Sequence, residues 1–451
     1  MLSRRSFMLT GVGILFSTYL SGAAGNQSKT SAVFKAGSGK AWVTFDAMNW
    51  PIDGFSGQHD ALGVRVLLMT CGQKRYAIVV VELTSLSEEM ISGMKKIVTE
   101  KTQITAENIM ICASHTFSVP HVFPAGHIPP GTDQQQNGEM LSRFNAALLQ
   151  AVIQAVDTLQ PAQLGFGSGV CRVNINRDQP GEKGWWLGAE DSGFADSFLG
   201  VVRIDNLHGE PMAVLFNYAV QSSVTEGFQS SGGGKQISAD LAGTAARYIE
   251  KHASPATVAL FLVGAAGDQA PIFQAMRSGI NDDGSVYKTG SGVQAFELLN
   301  LLTERLGSDV MRILNNITTS PPGTLDIIRE ELTVPALSFT PQNAPKGPVT
   351  TFHYQPAGEI NVPVILMRMG NIIWIGLQPE LSAATAAWIR ENSPFHATLV
   401  STMVDGAAKY MPDAQSYDRF TYEARSSPFA RGAAELLSEF IIDRLRQLHQ
   451  Y

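Results

Sequence analysis

With 451 residues, 44% of them hydrophobic, the chain has ample material for a large core. A formal charge of -7 and the lack of any basic patch interleaved with aromatic residues exclude nucleic acid as the expected partner. Three cysteines, Cys71, Cys112 and Cys171, are too few and too scattered for a disulfide scaffold or a cysteine-rich metal knuckle, and are read as small buried hydrophobes.

The chain begins with Ser3-Arg4-Arg5-Ser6-Phe7-Met8, a mostly apolar run from Met8 to Leu20, and the small residues Ser21-Gly22-Ala23-Ala24-Gly25. That order predicts an export signal of the twin-arginine type over residues 1–25. A single anchor helix is the competing reading, but the run falls short of the ~20 residues a membrane span needs and is diluted by Thr10, Gly11 and Gly13. No later stretch is long and apolar enough to serve as a transmembrane anchor, so the mature chain, 26–451, is expected in the periplasm or outside the cell as one domain.

Val64 to Met69 and Arg75 to Leu83 are β-rich runs around Cys71-Gly72-Gln73-Lys74 and predict a hairpin. Met90, Ile91, Met94, Ile97 and Val98 recur at helical spacing, with Ser85 as the expected cap. Asn108 to Ala113 predicts a buried strand that delivers Ser114 and His115 to its C-terminal end, where α/β enzymes commonly hold their chemistry.

Further along, helices are predicted over Gly138 to Leu159, Asp240 to His252, Val293 to Ile317, Leu381 to Arg390 and Gly432 to Leu448. Strands are predicted over Leu164 to Val170, Gly200 to Ile204, Met212 to Val220, Thr257 to Val263, Val362 to Met369 and Asn371 to Gly376. Pro124 to Asn137, Gly279 to Gly292, Thr340 to Gly347 and Gly232-Gly233-Gly234 are expected as surface loops, and Ser320-Pro321-Pro322-Gly323 is the best candidate for an internal boundary. The mixture implies α/β architecture, with layered mixed β-sheets flanked by helices rather than one parallel wound sheet.

Several short segments occur in an order that resembles one known family. They are Gly57-Gln58-His59-Asp60-Ala61-Leu62, Ser114-His115-Thr116-Phe117-Ser118-Val119-Pro120, Asn174-Ile175-Asn176-Arg177, Asn217-Tyr218-Ala219-Val220-Gln221 and Ser238-Ala239-Asp240-Leu241-Ala242-Gly243. Gly267-Asp268-Gln269-Ala270-Pro271, Gln378-Pro379-Glu380, Tyr410-Met411-Pro412 and Tyr422-Glu423 follow. Each match is short, but the shared order spans nearly the whole mature chain. The chain resembles the neutral/alkaline ceramidase family and is similar to its catalytic domain without the C-terminal immunoglobulin-like domain.

The resemblance implies hydrolysis of an N-acyl amide at a zinc ion held by two histidines, a glutamate and a tyrosine, with a loop serine taking part. Carried over, it implies His115, Glu380 and Tyr410 as metal ligands and His115, Tyr410 and Asp268 as catalytic residues. Arg177, Phe117 and Gln221 become candidates for substrate binding, and the implied substrate is an acylated small molecule or a sphingolipid-like molecule. Three positions depart from the family: Gln221 replaces the second metal histidine, Phe117 a further histidine, and Ala270 the serine, with Ile272 after it.

His121, His127, Ser118, Ser222 and Ser223 are the nearby residues that could compensate, against the plainer reading as polar loop residues. Asp268 is either an acceptor that orients a metal-bound histidine or a turn cap, Asp240 a family aspartate or a helix cap, and Arg177 a substrate clamp or an internal ion-pair partner. Three readings remain: an exported metal-dependent N-acyl amide hydrolase, an inactive relative that binds an acylated ligand or a protein, or a metal-free enzyme that uses the same cleft for different chemistry.

Overall fold

Alternation along single strands sets the layers. In Leu62–Cys71, Val64, Val66 and Leu68 enter one hydrophobic cluster while Leu67 and Met69 enter another. The two sets point to opposite faces because side chains alternate along a strand. Both faces are therefore buried. Pro356–Met369 behaves likewise, with Val362, Val364 and Leu366 on one side and Ile365, Met367 and Met369 on the other.

These strands belong to two sheets that share one apolar layer. The computed structural model describes residues 33–450 apart from 46, 47, 49, 125, 231, 291–293 and 341–343. The expected signal segment lies outside the described residues. The larger sheet runs, edge to edge, Val258–Val263, Pro211–Tyr218, Phe198–Asn206, Gln160–Val170, Phe34–Val43, Leu62–Cys71, Lys74–Val81 and Ile109–Ala113. Its two outermost pairs are parallel and its inner pairs antiparallel. The smaller sheet runs Leu325–Leu337, Pro356–Met369, Ile372–Leu377 and Ala397–Ser401.

Helices close both outer faces. Glu88–Thr102, Gln134–Asp157, Asp240–Ala253 and Ala295–Leu314 cover the larger sheet, and Ala383–Asn392 with Ala433–His449 cover the smaller. The order is helices, sheet, sheet, helices, the layered mixed architecture expected from the sequence. Each aliphatic side chain fully buried in these layers contributes about 1.5–3 kcal/mol. Between the sheets, the buried Trp374 donates its indole N–H to Ser401 Oγ at 2.8 Å, so its one polar group is satisfied. Under the helices, the buried Arg65 lies between Glu82 and Glu250, and Lys40 Nζ reaches Glu250 at 3.0 Å; buried charges persist only when paired in this way.

Some local expectations change. Ser87, not Ser85, caps Glu88–Thr102, accepting from Met90 N, because Ser87 stands immediately before the first helical residue. Part of the expected loop 279–292 is a hairpin of Met276–Ile280 with Val286–Gly290, and Asp133 caps a helix that begins at Gln134, inside the expected loop 124–137. Ser320-Pro321-Pro322-Gly323 is not a boundary. Ser320 exchanges backbone hydrogen bonds with Leu164 of the larger sheet at 2.9 and 3.0 Å, and Leu325 then opens the smaller sheet. Residues Ala32–Tyr451 cluster as one compact unit. No helix among the described residues is long and apolar enough to cross a membrane.

Candidate functional site

Six chain segments meet where strand ends run out. His115 leaves the edge strand Ile109–Ala113 in the left-handed region, with φ +56°, a conformation a non-glycine residue holds only when its surroundings enforce it. Ser222 N donates to His115 O at 3.3 Å and Phe117 N to Ser222 O at 3.0 Å, tying the Gln221 segment to the His115 segment. Gln221 N donates to Gln269 O at 3.4 Å, and Arg177 N to Asp268 O at 2.9 Å, which adds the Asp268 loop and the Asn174–Gly181 strand. Glu380 and Tyr410 are opposite one another in a short parallel pair, Glu380–Leu381 with Tyr410–Met411.

Gly267 permits this convergence. A Cβ there would lie 2.8 Å from Leu381 O and 3.1 Å from Glu380 O, closer than side-chain carbons approach a carbonyl. Asp240 holds the other side of the site. Its fully buried carboxylate accepts from Val224 N at 2.9 Å, Thr225 N at 2.8 Å, Thr225 Oγ1 at 2.7 Å and Ser118 Oγ at 3.2 Å. Asp240 is thus a clamp on the loop after Tyr218 more than a cap of its own helix.

The side chains form one connected polar network. His115 Nδ1 donates to Thr84 O at 2.7 Å, and Nε2 meets Glu380 Oε2 at 2.9 Å. The same carboxylate oxygen accepts from Gln221 Nε2 at 2.9 Å, while Gln221 Oε1 accepts from Arg177 Nη1 at 2.8 Å. Arg177 Nε donates to Glu423 Oε1 at 2.8 Å, and the guanidinium carbon lies 5.4 Å from the centre of the Tyr410 ring. Burial opposes both charges of the His115–Glu380 pair, yet their attraction prevails: the imidazole is held above its usual range and the carboxyl below its own. Burial and then the charge of Glu423 push Asp178 well above the usual carboxylate range.

The donor set does not fit zinc. Gln221 could ligate a cation only through its amide oxygen, and Arg177 occupies that oxygen while the NH2 end faces Glu380. Turning the amide over would set its NH2 against the guanidinium, donor facing donor. Among the described residues, no three His, Cys, Asp or Glu side chains are grouped to hold a metal ion. Of the residues expected to hold zinc, His115 and Glu380 are paired with one another and Tyr410 faces the Arg177 guanidinium.

The remaining expected residues separate. Asp268 does not touch His115; its Oδ1 accepts from Ala383 N at 2.8 Å, at the start of Ala383–Asn392, and its Oδ2 from Asn176 Nδ2 at 3.3 Å. Burial pushes its pKa up to about 7. Arg177 is an internal ion-pair partner. Phe117 packs edge-on against His115, with ring centres 4.7 Å apart. His121 and His127 are exposed and face Asp53 and Glu89. Ser118 and Ser222 are bound to Asp240 and to Ala242 N, and Ser223 Oγ accepts from Gln274.

Arg177, Gln221 and Tyr410 of this network line a cavity of about 620 Å³. Phe55, Phe117, Leu187, Met276 and Tyr422 supply apolar wall, and Arg177, Gln221, Ala270 and Tyr410 lie at the floor. Glu226 and Lys288, which no motif marked, also line it. Glu226 follows the clamped Val224–Thr225 pair, and only its place in the loop after Tyr218 could have signalled it.

No protein-family model matches the chain, and no curated protein is significantly similar to it in sequence. Solved structures do match. A ceramidase complexed with C2 superposes with a TM-score of 0.68 at 16% identity, over 93% of this chain and 76% of that one. The neutral ceramidase from Pseudomonas aeruginosa gives 0.67 at 16% identity, over 93% and 75%. This chain has the neutral-ceramidase fold.

Proposed function

We propose that the protein hydrolyses an N-acyl amide in a ceramidase-like cleft, using its own side chains in place of a zinc ion. The observation that carries this reading is the Tyr410 phenol set against the Arg177 guanidinium at the floor of a cleft with apolar walls. Burial, and then the charge of Glu380, hold the phenol well above its usual pKa, so it keeps its proton. A phenol so held donates to a substrate carbonyl oxygen and stabilises the negative charge that grows there when water adds. The acyl chain lies along Phe117, Leu187 and Met276. Ala270 supplies no hydroxyl, so the attacking group is water.

The substrate class is an acylated small molecule or a sphingolipid-like amide. The N-terminal segment supports delivery to the periplasm or the medium, which cell fractionation with an antibody to the chain tests; retention in the cytoplasm would refute it. Activity is tested by incubating chelator-treated protein with a short-chain fluorescent ceramide and with an N-decanoyl amino acid. Free fatty acid released without added metal is expected, and release only after zinc is restored would overturn the metal-free reading.

A second reading is favoured by one observation. His115, Gln221 and Glu380 are engaged with one another, with Thr84 O and with Arg177, as suits a cleft that binds an acylated ligand without cleaving it. Saturable binding of both probes with no product would favour this reading.

A further inference from the structure

Glu226 is the one carboxylate lining the cleft that makes no hydrogen bond or ion pair among the described residues. Four acids behind the floor are engaged: Glu380 by His115 and Gln221, Glu423 by Arg177, Asp240 by the loop it clamps, and Asp268 by Ala383. Glu226 shares the cavity with Gln221, Ala270, Arg177 and Tyr410. Its backbone is fixed from both sides, by the bonds from Val224 N and Thr225 N to Asp240 and by the Phe228 N to Thr225 O bond at 3.1 Å. A carboxylate so held, open to the cleft and without a partner, is arranged to act on something that enters it.

We propose that Glu226 is the general base of the cleft, a catalytic residue that activates the attacking water; this rests on the hydrolase reading above. The carboxylate removes one proton from a water molecule as the water oxygen forms a bond to the amide carbonyl carbon. The carbonyl π electron pair moves onto its oxygen, where the Tyr410 hydroxyl donates to it. When that pair returns, the C–N bond breaks and the proton held on Glu226 passes to the leaving nitrogen, giving one carboxylic acid and one amine for each water consumed. A separate nucleophile is unnecessary, which agrees with Ala270 at the family's serine position.

The charged surroundings suit the task. Crowding by protein atoms raises the Glu226 pKa although the residue as a whole is exposed, and Asp240 at the start of its helix raises it further. Lys288 from the Val286–Gly290 strand, Arg177 from Asn174–Gly181 and His115 from the edge-strand terminus all pull it down. A base tuned upward from the ordinary carboxylate range gains proton affinity while still ionising.

The test compares the full chain with Glu226→Gln on the same fluorescent ceramide and N-decanoyl amino acid, after circular dichroism has shown equal folding. The expected result is a fall in kcat of about 10²–10⁴-fold, KM changed little, and loss of the acidic limb of the kcat/KM profile that the parent shows. Glu226→Asp should recover part of the rate with the limb restored. If the parent turns over and Glu226→Gln stays within about 3-fold with the same limb, the role of Glu226 is overturned and the hydrolase reading survives. If the parent hydrolyses neither probe, the hydrolase reading falls and Glu226 falls with it.

Discussion

Gln221 Oε1 accepts from Arg177 Nη1 at 2.8 Å, and this contact decides which end of the amide faces Glu380. Because the oxygen is committed to a cation, the nitrogen points inward and donates to Glu380 Oε2. A second imidazole in that position would offer a lone pair to a metal; this amide offers two protons. Replacing Gln221 by histidine should therefore raise zinc affinity by about 10-fold or more, read by competition with a chromophoric chelator. Equal affinity in parent and variant would mean that position 221 does not control the centre.

Arg177 is the only cation hydrogen-bonded to Glu423 among the described residues, and Asp178 stands beside the same carboxylate. Arg177→Ala would leave buried acids uncompensated and should destabilise the fold by about 3–5 kcal/mol, measured as a shift in the urea unfolding midpoint. A loss below about 1 kcal/mol would indicate that water reaches these carboxyls.

Asp268 titrates near neutrality because burial moves it from 3.8 to about 7. Its folded pKa lies above the unfolded one, so the folded state binds the proton more tightly and the stabilisation is fully present below about 3.8. It is lost as pH rises from there through about 7. In Asp268→Asn that part of the decline should vanish, so the stability of the variant should change less than the parent's between those limits. Parallel pH–stability curves would refute the shift.

Gly267 admits the backbone of Leu381 and Glu380, and Gly267→Ala should cost about 1–3 kcal/mol as those carbonyls are pushed away. Because Glu380 moves with its carbonyl, probe binding should weaken as well. A melting temperature and probe affinity equal to the parent's would show that the segment yields without loss.

Much of the scaffold was legible because its signals are local. The Cys71–Lys74 turn, the apolar run of Ile109–Ala113 and the spacing of Met90, Ile91, Met94 and Val98 each declare their own element. The hairpin of Asn174–Gly181 with Gly184–Glu190 was not legible, since its residues alternate weakly and its third strand, Gln269–Pro271, is distant in sequence. The motif order brought His115, Gln221, Glu380, Arg177 and Tyr410 to one place. It did not reveal that Arg177 would occupy the amide oxygen of Gln221, or that Asp268 would turn toward Ala383, because both depend on pairings across the fold. Glu226 carries no motif at all.

We infer that hydrogen bonds and an ion pair, rather than a metal, complete the floor of the cleft. This is tested most directly by calorimetric titration of zinc into the chelator-treated full chain, with His115→Ala in parallel. No one-to-one site tighter than about 1 μM is expected in either protein. Stoichiometric binding well below that concentration in the parent, abolished in His115→Ala, would contradict it.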